Sequence, residues 1–129
     1  MALERILVII DDDTDDRDLF MEIVSGIDST LIVWEAESAE EALIKIKSDV
    51  SKTPEFIFLD LNMPKVNGFD CLNALRQIEH MQTVPVYMYS ITASERDIKK
   101  ALALGATDFI NKTSNIKDLK NLITKILFG

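Results

Sequence analysis

The most chemically suggestive stretch of the sequence is an acidic run, in which five of the six residues at positions 11–16 are aspartates. It directly follows the apolar run ILVII at positions 6–10. One interpretation is a solvated acidic turn, because short charge runs usually lie at the surface. The others are a calcium loop and one half of a magnesium site that distant residues complete.

The calcium interpretation depends on the spacing of the acids. Asp11, Asp13, Asp15 and Glu22 match ligand positions of the EF-hand loop. That loop needs a glycine for its sharp turn, and Asp16 stands at the glycine position. It also needs a helix before it, whereas positions 6–10 are rich in isoleucine and valine and predict a strand. The sequence therefore disfavours calcium.

Other polar residues that could act with these acids follow later apolar runs. Asp60, Ser90 and Lys112 each come after such a run. A carboxylate beside a divalent cation, a lysine and a hydroxyl is equipped to accept a phosphoryl group. The carboxylate is the nucleophile, and the two cations neutralise phosphoryl oxygens. A lysine among acids makes sense when an anion must also bind there.

The elements that must position these residues are read from apolar periodicity. Short apolar runs predict five strands, at 6–10, 31–34, 56–59, 86–89 and 109–110. Several runs are apolar on consecutive residues, which is typical of a parallel sheet covered on both faces.

Helical patterns lie between the strand runs and after the last one. Ser38 with Glu41, and Ser94 with Asp97, stand at the spacing of helix-capping pairs. Gly26 and Gly105 are predicted to end the first and fourth helices. We predict an α/β fold, a three-layer doubly wound five-stranded parallel sheet. Its ligand site should lie beyond the carboxyl ends of the strands.

Length and composition limit the classes of function. A chain of 129 residues with 47% hydrophobic content predicts a single domain with its own core. The net charge of -8 argues against direct electrostatic binding to nucleic acid or to an anionic membrane. The lone Cys71 cannot form an internal disulfide, and no signal peptide or membrane span is evident, so we expect a cytoplasmic location.

Four motifs together resemble a known family. They are DD at 11–12, FLDLNMPKVNG at 58–68, VPVYMYS at 84–90 and GATDFINK at 105–112. In this order the chain resembles the receiver domain of bacterial two-component response regulators over essentially its whole length. The resemblance implies a flavodoxin-like (βα)5 fold with strand order 2-1-3-4-5. It also implies one receiver domain over residues 1–129 with no output domain.

The resemblance assigns expected roles to individual residues. Asp60 would accept a phosphoryl group from a sensor histidine kinase or a histidine phosphotransfer protein, and Ser90 and Lys112 would hold the phosphoryl oxygens. Mg²⁺, or Mn²⁺, would be bound by Asp11, Asp12, Asp60 and the main-chain carbonyl of Asn62. The only reaction catalysed would be the domain's own transient phosphorylation and dephosphorylation.

The expected output is a change of surface shape. Ser90 and Phe109 would form the switch, and the fourth helix, fifth strand and fifth helix would report it to a downstream protein target. The same face allows a homodimer. Because Phe109 lacks the hydroxyl of a tyrosine, its switching would depend on packing alone.

Departures from the family pattern lie beside the expected site. Ile91 follows Ser90 where the family prefers a small residue, and with Thr92 it is expected to control access to Asp60. Thr113 replaces the proline that usually follows the lysine in a cis bond. Because a cis bond before a non-proline residue costs about 3–4 kcal/mol, Lys112–Thr113 is predicted to be trans, or cis under strain.

Three other functions use a similar fold. A haloacid-dehalogenase-type phosphatase needs a second aspartate two residues after the nucleophile, where Asn62 stands. A flavodoxin-like carrier is disfavoured because an acidic first loop repels a flavin phosphate. A degenerate receiver that acts as a constitutive protein-binding module stays open as an alternative.

Asp13, Asp15 and Asp16 are interpreted as helix N-terminal charges rather than ligands.

Overall fold

Strands and helices alternate along the chain, as the sequence predicts. The computed structural model describes residues 4–63, 65–91, 94–112 and 116–129. The strands are β1 Ile6–Ile10, β2 Ile32–Ala36, β3 Phe56–Asp60, β4 Val86–Ser90 and β5 Asp108–Asn111. The helices are α1 Thr14–Ile27, α2 Ala39–Ser48, α3 Gly68–Arg76, α4 Glu95–Ala103 and α5 Ile116–Phe128, with a 3-10 turn at Glu79–Met81. None of these described helices is long and apolar enough to cross a lipid bilayer.

The five strands form one parallel sheet in the order β2-β1-β3-β4-β5, which confirms the predicted fold class. The order of the strands reverses between β1 and β3, so a crevice opens beyond their carboxyl ends. Ile10 pairs with Leu59 across these two strands. The residues that follow, Asp11 and Asp60, therefore leave the sheet side by side.

Two hydrophobic cores hold the sheet between helical layers. One core lies under α1 and α5 and contains the aromatic group Phe20, Phe56, Phe58, Tyr87 and Tyr89. The other lies under α2, α3 and α4 and is built from aliphatic and sulfur-containing side chains. Every residue of β1 and β3 is buried, which explains why these strands are apolar on consecutive residues.

Several predicted element ends are confirmed. The hydroxyls of Ser38 and Ser94 each accept the main-chain N–H three residues on, at 3.1 Å, and so cap α2 and α4. Gly105, just after α4, has a φ of +104°, a left-handed conformation that favours glycine.

The predicted bounds of α1 and β2 were wrong. Helix α1 continues through Gly26, because Ile27 still packs against the core under α1 and α5. Strand β2 begins one residue later than expected and extends past Trp34, because Glu35 and Ala36 pair with β1 although the apolar run has ended.

Gly68 lets α3 approach the end of β3 closely. A Cβ atom there would lie 2.7 Å from the main-chain oxygen of Asp60 and from the Cα of Leu61. The Gly68 N–H donates to the Leu61 carbonyl at 2.9 Å, which closes the loop that follows Asp60. The site of Asp60 therefore depends on the absence of a side chain at position 68.

We predict that Gly68→Ala lowers the free energy of unfolding by about 1–3 kcal/mol, because the added methyl meets main-chain atoms that have little room to move. Gly26→Ala is the matched control, since a Cβ there meets nothing within 4 Å and helix α1 favours alanine. It should raise the free energy of unfolding by up to about 1 kcal/mol. Chemical denaturation checks both values, and equal effects of the two substitutions would contradict the close approach.

Candidate functional site

Residues at or just after the ends of four strands, β1, β3, β4 and β5, meet at the carboxyl end of the sheet. The carboxylates of Asp11, Asp12 and Asp60 each offer an oxygen within 4.8 Å of the others. Asp12 is exposed, whereas Asp11 and Asp60 are only 0% and 3% exposed. Asp12 and Asp60 line an open crevice of about 560 Å³, whose rim also includes Ile91 and Lys112.

Asp11 is held rigidly by hydrogen bonds. One carboxylate oxygen accepts the N–H of Asp13 at 2.9 Å, and the other accepts the hydroxyl of Tyr89. Burial, together with the charge of Asp11, raises the pKa of Tyr89, so the hydroxyl keeps its proton and donates. The guanidinium of Arg17 donates to the Asp11 carbonyl at 2.7 Å and pairs with Glu35 at 3.3 Å.

The rest of the acidic run begins helix α1. The side chain of Asp13 caps the helix by accepting the N–H groups of Asp15 and Asp16. Acidic residues at this end of a helix are stabilised by the helix dipole. Because Asp15, at the fifth position of the EF-hand pattern, lies inside a regular helix, this segment cannot fold as an EF-hand loop.

Asp60 is a buried carboxylate that lies beside the Lys112 ammonium. One of its oxygens accepts the N–H of Asn62 at 3.1 Å, and the other lies 3.3 Å from the Lys112 ammonium. Burial and the charge of Asp11 raise the pKa of Asp60 to about 7, although Lys112 and the Asn62 N–H act in the opposite direction. A divalent cation among these acids would favour the charged carboxylate, so the donor set fits a hard metal ion.

Lys112 lies at the centre of three ion pairs. Its ammonium is 2.8 Å from Asp16 and 3.3 Å from both Asp11 and Asp60, and it lies 4.8 Å from the centre of the Tyr89 ring. Burial alone would lower the pKa of Lys112, but the three carboxylates outweigh it and raise that pKa. The ammonium therefore stays charged at neutral pH.

The expected switch residues lie on two neighbouring strands. Ser90 is fully buried, and its hydroxyl accepts a hydrogen bond from the side-chain amide of Asn62 at 2.8 Å. Phe109 is partly buried against the core under α2, α3 and α4 and pairs with Met88 in the sheet.

An amide at position 62 cannot act as the second acid of a haloacid-dehalogenase-type phosphatase.

The structure brings together Asp11, Asp12, Asp60, Asn62, Ser90 and Lys112. Ile91 lies at the rim of the crevice and is 74% exposed. Thr92, Pro64 and Thr113 lie outside the described residues. The expectations for Thr92 and for the Lys112–Thr113 bond therefore stay predictions.

Sequence reasoning missed three residues of the site and one side-chain role. Asp16 was interpreted only as a helix charge, yet it makes the shortest ion pair with Lys112. Tyr89 and Arg17 were not recognised, although a tyrosine at the end of a buried strand signals a need for a hydrogen-bond partner. Asn62 was expected to act through its main-chain carbonyl, which stays a prediction, and the contact of its side chain with Ser90 was not expected.

Comparison with known proteins identifies the family. Residues 7–124 match the response regulator receiver domain. The chain belongs to this family. Receiver domains are signalling modules of two-component systems, and they bind Mg²⁺ or Mn²⁺ at an acidic pocket.

Relatives of this receiver domain cover nearly all of it. The response regulator Rcp1 of Synechocystis sp. is 27% identical over 126 residues, which is 95% of this chain and 86% of Rcp1. The phosphorylated cyanobacterial phytochrome response regulator RcpA has a TM-score of 0.85 at 23% identity, covering 96% of this chain and 91% of that chain. The Mn²⁺-bound form of Rcp1 has a TM-score of 0.79 at 24% identity, covering 95% and 91%. These likenesses of structure confirm the receiver fold.

We predict that Tyr89→Phe lowers the free energy of unfolding by about 1–3 kcal/mol, because a buried carboxylate oxygen of Asp11 loses its hydroxyl donor. Tyr87→Phe is the matched control, since it removes a hydroxyl two residues away on the same strand and the same face of the sheet. Urea denaturation in a metal-chelating buffer measures both. A loss for Tyr89→Phe no larger than for Tyr87→Phe would show that the bond does not support Asp11.

Proposed function

We propose that this receiver domain accepts a phosphoryl group on Asp60 from a histidine kinase or a histidine phosphotransfer protein and signals through protein contact. The observation that carries the proposal is the position of Asp60, at an open crevice within 3.3 Å of a lysine and beside two further aspartates. Few kinds of functional site combine a buried carboxylate, neighbouring acidic residues and an ammonium, and a phosphoryl-accepting site uses all three.

The reaction follows from how Asp60 is held. The Asn62 N–H anchors one carboxylate oxygen, and the other faces the Lys112 ammonium. A carboxylate oxygen attacks phosphorus, the new O–P bond forms as the N–P bond of phosphohistidine breaks, and the imidazole leaves with the electron pair and takes up a proton. Lys112 and Ser90 stabilise the charge on the transferred oxygens, so positioning and electrostatics supply most of the catalysis.

A divalent cation would be held by Asp12, Asp60 and the Asn62 carbonyl. Asp11 would act largely through water, because both of its carboxylate oxygens already accept protein hydrogen bonds. Bound there, Mg²⁺ or Mn²⁺ supplies positive charge to the phosphoryl oxygens. The Mn²⁺ of Rcp1 and the phosphorylation of RcpA, in proteins of the same fold, support this proposal.

The proposed output begins at Ser90. Its hydroxyl, which accepts a hydrogen bond from the Asn62 amide, would turn its own O–H to donate to a phosphoryl oxygen on Asp60. Phe109 then repacks against its core, and the surface of α4, β5 and α5 changes shape. Leu102 on α4, which is 46% exposed, offers an apolar contact to a downstream target. A homodimer through the same face stays a prediction.

We further propose that this receiver domain acts in the cytoplasm. The alternative of a degenerate receiver is disfavoured, because Asp12, Asp60, Ser90 and Lys112 have the mutual positions that the chemistry needs. The exposed Ile91 is proposed to narrow the approach to Asp60, since it lies at the crevice rim.

The test is incubation with acetyl phosphate and Mg²⁺, followed by intact-mass measurement. We expect the mass of one added phosphoryl group, lost when the metal is chelated, because the acidic pocket repels an anionic donor without a cation. Asp60→Asn should abolish the addition, whereas the matched control Asp70→Asn, in an exposed position on α3, should not. Phosphorylation that persists in Asp60→Asn would place the acceptor elsewhere and contradict the proposal.

A further inference from the structure

Asp16 makes the shortest ion pair in the site. It is the third residue of α1, and its carboxylate lies 2.8 Å from the Lys112 ammonium across a separation of 96 residues. Asp60 and Asp11 lie farther from that ammonium, at 3.3 Å. The ammonium is therefore held closest to the first turn of α1, not to the proposed phosphoryl acceptor.

Carboxylates already surround the Lys112 ammonium, which donates hydrogen bonds to Asp16 and Asp60 and lies 3.3 Å from Asp11. An ammonium carries three N–H donors, and three carboxylates surround this one. A phosphoryl oxygen that binds Lys112 must therefore displace one of the carboxylates or compete with it.

The three carboxylates differ in how easily they can release the Lys112 ammonium. Asp60 is the acceptor itself, and Asp11 is completely buried and fixed by the Asp13 N–H and the Tyr89 hydroxyl. The side chain of Asp16 is 36% exposed, so water can solvate its carboxylate once the ion pair opens. Opening a partly exposed pair costs little compared with stripping a buried one.

Asp16 also adds negative charge close to the place where a dianionic phosphoryl group would sit. It borders the same crevice as Asp60 and Lys112. A carboxylate there repels the anion and at the same time occupies the cation that should bind it.

We propose that Asp16 is a positioning residue that holds Lys112 toward α1 in the unphosphorylated protein and must release it before the phosphoryl group is bound. The inference rests on the proposed function. Asp16 thereby weakens the affinity of the site for phosphoryl-like anions and slows phosphorylation.

The test compares Asp16→Asn with Asp15→Asn. Both substitutions remove one negative charge from the first turn of α1 beside the crevice, but only Asp16 contacts Lys112. Calorimetric titration with beryllofluoride in excess Mg²⁺ measures the affinity for a phosphoryl mimic. We expect Asp16→Asn to bind beryllofluoride about three- to fivefold more tightly than the wild type, and Asp15→Asn to stay within about twofold.

Asp16→Glu is the third variant, because it keeps a carboxylate on a longer side chain. We expect its affinity to return toward that of the wild type, which a general loosening of the helix end would not produce. Initial rates of phosphorylation by acetyl phosphate should follow the same order.

Two results would overturn the inference alone. One is an equal effect of Asp16→Asn and Asp15→Asn, which would show that only the charge of the crevice matters. The other is weaker binding in Asp16→Asn, which would show that Asp16 holds Lys112 in the productive position. Failure of the wild type to bind beryllofluoride would instead contradict the proposed function, and the inference with it.

Discussion

The constraint on which the rest of the structure depends is the close approach of like charges at the ends of β1 and β3. The carboxylates of Asp11, Asp12 and Asp60 lie close together, two of them are buried, and the Lys112 ammonium lies beside Asp11 and Asp60. Such an arrangement is unfavourable by itself, and burial together with the charge of Asp11 raises the pKa of Asp60. The arrangement persists because the surrounding fold holds Asp11 and Asp60 in place. The excess of negative charge favours the binding of a cation at the site.

Several parts of the fold serve this purpose. Arg17 fixes the main chain of Asp11, and the cap at Asp13 orients the turn into α1. Gly68 allows α3 to press against the end of β3. Tyr89 belongs to the aromatic core under α1 and α5, yet its hydroxyl reaches Asp11, so the packing of that core is linked directly to the acidic pocket. Burial of the two cores thus opposes the repulsion in the site.

Much of this arrangement could be predicted from the sequence. Apolar runs locate the strands, and the rule that ligands bind beyond the carboxyl ends of parallel strands brings Asp12, Asp60 and Lys112 together. The contacts of Asp16 and Tyr89 could not be predicted, because they join residues 96 and 78 positions apart and depend on the rotation of α1 and the length of a side chain. The side-chain contact between Asn62 and Ser90 depends on loop geometry in the same way. Helix α1 was predicted to end at Gly26, but it continues because the packing of Ile27 against the core outweighs the weak tendency of a glycine to end a helix.

The most direct test of the central claim is the dependence of unfolding on Mg²⁺. If repulsion among the acids creates the cation site, the free energy of unfolding should rise with Mg²⁺ concentration, by about 2.7 kcal/mol at one hundred times the dissociation constant. The rise should exceed that in NaCl of equal ionic strength, and Asp12→Asn should largely remove it. A stability that responds equally to both salts, or an undiminished response in Asp12→Asn, would contradict the account.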